Sequence, residues 1–237
     1  MDQIEKLKQW VSESKRIVFF GGAGVSTESG IPDFRSVDGL YNQKFEYPPE
    51  EIISHTFFVH RPEYFYRFYR EKMLPLGFEP NVTHRVLAQW EAQGILSAVV
   101  TQNIDGLHQK AGAQKVFELH GSVQRNYCTR CGRFFSAEFV RDSEGVPRCD
   151  CGGIVKPDVV LYEESLDGDT MEKSIVSIME ADLLIVAGTS LTVYPAAGLI
   201  RYYRGKRLVL INRDPTSYDG QANLVIHESL GDIFSRL

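Results

Sequence analysis

The sequence predicts an α/β fold: a doubly wound parallel sheet carrying a small second lobe. Three observations lead there. Five short runs are mostly apolar along their whole length: "RIVFFG" (16–21), "LSAVVT" (96–101), "KVFEL" (115–119), "LLIVAG" (183–188) and "RLVLIN" (207–212). That pattern suits strands buried on both faces rather than strands with one wet side. Helical periodicity lies between several of them, at 83–93 around Leu87 and Trp90, at 169–180 around Ile175 and Ile178, and at 196–204. Alternating strands and helices require crossover connections and therefore a parallel sheet. Finally, two segments break the rhythm. Residues 36–80 are rich in aromatics and punctuated by Pro48, Pro49, Pro62, Pro75 and Pro80, and residues 126–157 gather the cysteines among Gly132, Gly145, Gly152 and Gly153. The expected division is 1–35, 81–125 and 158–237 for the large unit, and 36–80 with 126–157 for the small lobe.

Taken in order, the chain opens on a helical stripe of Ile4, Leu7, Trp10 and Val11 before the first strand. The acidic residues of "MDQIEKLKQWVSESKR" do not suit a signal peptide, which needs a long apolar core. No apolar run approaches the roughly 18 residues of a membrane span. With 237 residues, 43 % hydrophobic and 24 % charged, the composition is that of a soluble globular protein with a sizeable core. A net charge of -5 argues against direct nucleic-acid binding, while leaving room for basic protein substrates. The expectation is a cytosolic protein with no membrane partner.

The first strand runs into "FFGGAGVSTESGIPDFR" (19–35). Gly22 and Gly24 allow a tight turn that a phosphate can approach closely. A helix after the turn would offer backbone N–H groups to a pyrophosphate, and Ser26 and Thr27 could add hydroxyls. The dinucleotide spacing G-x-G-x-x-G fails at Thr27, so the turn alone is a weak signal. Asp33, Phe34 and Arg35 add an acid, an aromatic face and a guanidinium able to meet phosphate; a salt bridge beside a core phenylalanine is the plainer reading. The strand 96–101 ends in "TQNIDGLH", placing Gln102, Asn103 and Asp105 where open sheets bind ligands. The next strand ends at His120, whose ordinary pKa suits proton transfer near neutrality.

The four cysteines, Cys128, Cys131, Cys149 and Cys151, lie within 24 residues. In a reducing compartment that clustering favours a metal over disulfides. Four thiolates close a tetrahedral Zn2+ site and leave no open position, which makes its role structural. The spacing Cys149-x-Cys151 is one residue shorter than the usual knuckle, and iron–sulfur ligation remains the competing reading.

Together "GAGVSTESGIPDFR", "TQNID", "LHG", the four cysteines, "KPDVV", "GTSLTVYPAA" and "INRD" occur in order from residue 22 to 214, and in this the chain resembles the sirtuins, NAD-dependent protein lysine deacetylases of Rossmann-like fold with a zinc ribbon and a helical insertion. The resemblance implies NAD as consumed co-substrate. Ala23, Gly24 and Thr27 would hold its pyrophosphate, and Asp33, Phe34 and Arg35 would belong to a cofactor loop. Gln102, Asn103, Ile104 and Asp105 would line the nicotinamide and ribose pocket. Gly188, Thr189, Ser190, Asn212 and Arg213 would face the adenosine half, with Asp232 and Ile233 at the adenine.

The same resemblance makes His120 the general base and gives Asn103 a part in ordering water and ribose. The acyl oxygen of the modified lysine would attack the ribose carbon as nicotinamide leaves, and the acyl group would end on ADP-ribose. Acetylated peptides would pair with an edge at Val159, Val160, Leu161 and Tyr162. The usual continuation Phe-Gly-Glu is here Tyr162-Glu163-Glu164, which leaves the edge conformation open. Sirtuins selective for acidic acyl groups carry Tyr-x-x-Arg; here Tyr66 is followed at that distance by Tyr69, with Arg70 about a hundred degrees further round a helix. Acetyl and other neutral acyl groups are therefore expected, since a buried carboxylate would lack a partner. Protein ADP-ribosyl transfer shares the NAD site and stands as the alternative activity. A zinc-ribbon binding module has no use for the polar set at 102–105 and 120, and the broken glycine spacing disfavours hydride transfer.

Overall fold

The computed structural model describes residues 2–33, 39 and 45–237. Strands β1 (Ile17–Gly21), β2 (Leu96–Thr101), β3 (Val116–Glu118), β7 (Leu183–Ala187), β8 (Leu208–Ile211) and β9 (Leu224–Ile226) form a parallel sheet in the order β3-β2-β1-β7-β8-β9. Strands β4 (Gly121–Cys128), β5 (Phe134–Ser136) and β6 (Val155–Val159) form a separate antiparallel sheet in the order β5-β4-β6. The helices are α1 (Gln3–Glu13), α2 (Pro49–Ile52), α3 (His55–His60), α4 (Pro62–Phe68), α5 (Val82–Ala92), α6 (Leu107–Lys110), α7 (Ala137–Asp142), α8 (Gly168–Glu180) and α9 (Leu230–Phe234).

The apolar runs of β1, β2, β7 and β8 are explained by burial on both faces, while β3, at the edge of the sheet, is only half-buried. Ile17 and Phe19 point into one layer with α1, α5 and α9, while Val18 and Phe20 point into the other with α8 and residues 196–202. A third core joins the two insertions. Phe57, Phe58, Phe65, Tyr66, Phe68 and Tyr69 from the helices pack with Val140, Val155, Cys128 and Cys149.

Several expectations need correction. Among the described residues no long helix follows the glycine turn; two short 3-10 turns at Ala23–Val25 and Thr27–Ser29 do, and Gly30 ends them at φ +92°. Ala196–Tyr202 is 3-10 rather than α, with Gly198 weakening the helix interior. Strands β4 and β6 run through the expected boundaries at 125/126 and 157/158, so the change of sheet falls beside His120 and after Val159. Strand β9 and helix α9 carry too short a pattern to have been anticipated.

Candidate active site

The sheet order reverses between β1 and β7, and a cleft of about 760 Å³ opens at their C-terminal ends, the place where open sheets bind ligands. Its floor is two interlocked loops. Gly22 N–H donates to the Ala187 carbonyl (3.2 Å) and Gly24 N–H to the Gly188 carbonyl (2.8 Å). A Cβ on Gly24 would lie 2.8 Å from the Gly188 Cα, and one on Gly22 would lie 2.7 Å from the Thr189 Cβ. Glycine is thus required here for the two loops to meet, before any phosphate is considered.

On this floor stands a hydrogen-bonded chain. Asn103 Nδ2 donates to Ser26 Oγ (3.1 Å), and Ser26 Oγ donates to Asp105 Oδ2 (2.7 Å), while Asp105 Oδ1 accepts from Leu107 N–H (2.9 Å). Burial raises the Asp105 pKa, and the two donors oppose that rise. Gln102 spans the switch point, donating from Nε2 to Thr189 Oγ1 (3.0 Å).

The carbonyl of Gln102 lies 2.9 Å from His120 Nδ1. A carbonyl only accepts, so Nδ1 carries the proton and Nε2 keeps its lone pair. Burial lowers the pKa of His120, only partly offset by the Gln102 carbonyl. The ring is therefore neutral near pH 7 and able to take a proton. The backbone carbonyl of His120 accepts from Val160 N–H (3.0 Å), which joins the candidate base directly to the expected peptide edge.

That edge lines the cleft through Val159, Val160, Leu161 and Tyr162. Its donors already have partners within the chain: Val160 N–H at His120, Leu161 N–H at Glu164 Oε2 (2.9 Å) and Tyr162 N–H at the Ile53 carbonyl (3.1 Å). Glu163, in the position of the family glycine, takes φ +74°. The left-handed conformation is thus adopted without glycine, and Thr56 N–H donates to the Glu163 carboxylate (2.8 Å) to hold it.

Other candidates fall variously. Ala23, Asp33, Ile104, Gly188, Thr189, Ser190 and Asn212 line the cleft. Phe34 and Arg35 lie outside the described residues. Thr27 instead turns its hydroxyl back to the Gly24 carbonyl (3.0 Å). Arg213 is exposed, and its neighbours Asn212 and Asp214 face the cleft instead. Asp232 accepts from Ser229 at the start of α9, and Ile233 is fully buried in the core, so these two do not form the cleft wall among the described residues. Tyr66 and Tyr69 are core residues, 0 % and 1 % exposed; the Tyr66 hydroxyl donates to the Val155 carbonyl. Arg70 donates to the carbonyls of Val140 (2.8 Å) and Gly145 (2.7 Å), away from the cleft. A π-helical turn at Tyr69–Met73 instead brings Lys72 to the wall, paired with Glu71 at 3.0 Å. No sequence pattern marked this turn, or Ser26 as the link between residues 77 and 79 positions away.

The sulfurs of Cys128, Cys131, Cys149 and Cys151 all lie within 4.8 Å of one another, with 128–151 at 3.4 Å and 131–149 at 3.7 Å. Zn–S bonds of about 2.3 Å in a tetrahedron imply sulfurs about 3.8 Å apart, so the set fits one structural Zn2+. Several bridged irons would spread the sulfurs further. The short Cys149-x-Cys151 knuckle closes by Gly152 N–H to the Cys149 carbonyl (2.8 Å) with Gly152 at φ +84°. Gly153 follows because a Cβ there would sit 2.6 Å from the Cys128 sulfur. No helix among the described residues is long and apolar enough to cross a membrane.

The Sir2 family pattern matches residues 22–195. The chain is 60 % identical over 237 residues to a protein of Clostridium acetobutylicum named NAD-dependent protein deacetylase, covering 98 % of this chain and 97 % of the relative. It is 43 % identical over 239 residues to one of the same name from Staphylococcus aureus, covering 100 % and 98 %. Among solved structures it superposes with TM-score 0.91 and 38 % identity on a Sir2 variant with deacetylated p53 peptide and 3'-O-acetyl ADP-ribose, covering 98 % and 96 %. A Sir2 with p53 peptide and NAD+ gives TM-score 0.88 at 39 % identity, covering 100 % and 97 %. The chain belongs to the Sir2 family.

Proposed function

We infer that this chain is an NAD-dependent protein lysine deacetylase that acts on acetylated proteins or peptides in the cytoplasm. The observation that carries the reading is His120: a buried, neutral imidazole with its proton on Nδ1, facing a cleft walled by Gln102, Asn103 and Asp105. NAD, when bound, would supply the ribose carbon that takes the acyl oxygen, with nicotinamide as the leaving group and ADP-ribose as the final acyl carrier. The chain's own work is to bind, orient and move protons. The glycine-floored crevice fits a pyrophosphate, and Asp105 and Asn103, tied through Ser26, present fixed polar groups to the nicotinamide end. His120 Nε2, with its lone pair free, would take a proton from a ribose hydroxyl of the bound NAD. The larger sheet serves the nucleotide, and the small lobe presents the peptide along Val159–Tyr162.

Neutral acyl groups are favoured. Arg70 is engaged elsewhere and the ammonium of Lys72 is matched by Glu71, so among the described residues lining the cleft no cation is left to meet an acyl carboxylate. Transfer of ADP-ribose to protein is disfavoured, because the neighbouring Sir2 structure holds deacetylated peptide with acetyl ADP-ribose. Mass spectrometry of one reaction with NAD and paired acetyl- and succinyl-lysine peptides tests this. Free lysine from the acetyl peptide with equal nicotinamide and O-acetyl-ADP-ribose is expected. Intact NAD with both peptides would sink the activity, and faster loss of succinyl would sink the selectivity alone.

A further inference from the structure

The point where the two sheets meet lies between the candidate base and the peptide edge, and one side chain spans it. Arg125 Nη1 lies 2.7 Å from Glu118 Oε2, and Arg125 Nε lies 2.7 Å from Asp158 Oδ2. Glu118 ends β3 of the parallel sheet, two residues before His120, and its side chain is only 8 % exposed. Asp158 belongs to β6 of the antiparallel sheet and directly precedes Val159.

The backbone explains how the guanidinium gets there. In the β4/β6 ladder Gly121 faces Val159 and Ser122 faces Asp158, but the next pair is Asn126 with Pro157. Residues 123–125 therefore have no partners across the ladder, and a bulge of this kind re-aims the side chains it carries. The junction it serves is tight. Gly121 has φ +74°, and a Cβ there would lie 1.9 Å from the Asp158 carbonyl oxygen.

We propose that Arg125 is a positioning residue for deacetylation: by forking between Glu118 and Asp158 it sets His120 and the Val159–Tyr162 edge in one frame across the junction of the two sheets. It touches neither the cleft nor a reacting atom. A planar guanidinium reaches two carboxylates at fixed angles, whereas an ammonium is a compact point charge on a flexible stem and fixes no such geometry. Without the fork Glu118 is left a nearly buried, unpaired carboxylate, and the edge is free to shift relative to the base.

The inference rests on the deacetylase reading, so wild-type turnover of the acetyl peptide is measured first; its absence counts against that reading rather than this one. With turnover established, Arg125→Gln should lower kcat/KM for the acetyl peptide about 10- to 100-fold, since small misplacements of reacting groups are that damaging. Binding of ADP-ribose alone, which engages the parallel sheet, should stay within about twofold, and Arg125→Lys should recover part of the loss. Combining Arg125→Gln with Glu118→Gln should cost less than the two separate losses multiplied, because both break one unit. Asp158→Asn provides the same reading should Arg125→Gln fail to fold. An unchanged kcat/KM would overturn the proposal. A parallel loss of ADP-ribose affinity would also overturn it, by showing general damage.

Discussion

The glycine-floored crevice and the zinc lobe reach rigidity by different means. In the crevice, position is set by backbone register: interlocked loops, strand ends, and a chain of short hydrogen bonds from Asn103 through Ser26 to Asp105. In the small lobe, short strands and aromatic helices are held by a few cross-links, namely the four thiolates and the fork of Arg125. Single substitutions should therefore act differently in the two regions. Removing one side chain from the crevice should change chemistry and spare the fold, whereas removing one thiolate from the lobe should change the fold and reach the chemistry indirectly.

The largest expected effect breaks the lobe. Metal binding supplies folding free energy on the order of 10 kcal/mol in small zinc modules, so Cys149→Ser, or strong chelation, should loosen the packing of Val155 and Cys128 against the aromatic helices. The expected outcome is lost deacetylation, stoichiometric zinc release and a lower melting temperature. Full activity in zinc-free protein would contradict it.

His120→Ala is the converse. Loss of a general base is typically worth about 10² to 10⁴ in rate. Melting temperature and zinc content should stay near wild type, and a variant that unfolds instead would erase the contrast between the two regions.

A third effect separates the regions by pH. His84 and His108 are buried with ring centroids 4.7 Å apart. Burial, reinforced by the charge of Arg85, brings His84 down to about 4, and burial beside His84 holds His108 well below its usual range. Unfolded histidine takes up its proton near 6.5, so the unfolded chain binds more protons between that pH and about 4. The neutral pair's contribution is whole above pH 6.5 and is withdrawn as pH falls. For His84 the loss is on the order of 3 kcal/mol by about pH 4. Denaturant titrations at pH 7 and pH 5 should show it, and His84→Gln should flatten the slope. Equal stability at both pH values would refute the assignment.

The smallest effect concerns the two tyrosines. The Tyr69 hydroxyl is buried with no hydrogen-bond partner among the described residues, whereas that of Tyr66 donates to the Val155 carbonyl. Tyr69→Phe should be neutral or stabilising by up to about 1 kcal/mol, and Tyr66→Phe destabilising by about 1 kcal/mol. Neither should alter the ratio of acetyl to succinyl turnover. A shift in that ratio with Tyr69→Phe would return Tyr69 to the acyl site.

Much of the site was legible residue by residue. Gln102, Asn103, Asp105 and His120 could be placed at strand ends because the apolar runs before them mark where burial on both faces stops. The cysteines announced a metal by number and spacing. At Tyr66 and Tyr69 a spacing of three says that two side chains share a helix face and says nothing of whether that face looks into a cleft or a core. The end of the helix after Phe68 was hidden as well, since a π-turn at Tyr69–Met73 leaves no composition signal.

By itself, then, the sequence determined what depends on each segment's own periodicity and chemistry: parallel strands, a glycine turn, a thiolate cluster, an imidazole at a strand end. Which groups meet across long loops came from packing alone: Ser26 between Asn103 and Asp105, Glu163 held left-handed by Thr56, Arg125 astride two sheets. Periodicity records that a residue is buried or exposed, while the identity of its partner depends on how distant elements close upon one another. That closure is a property of the whole packed chain.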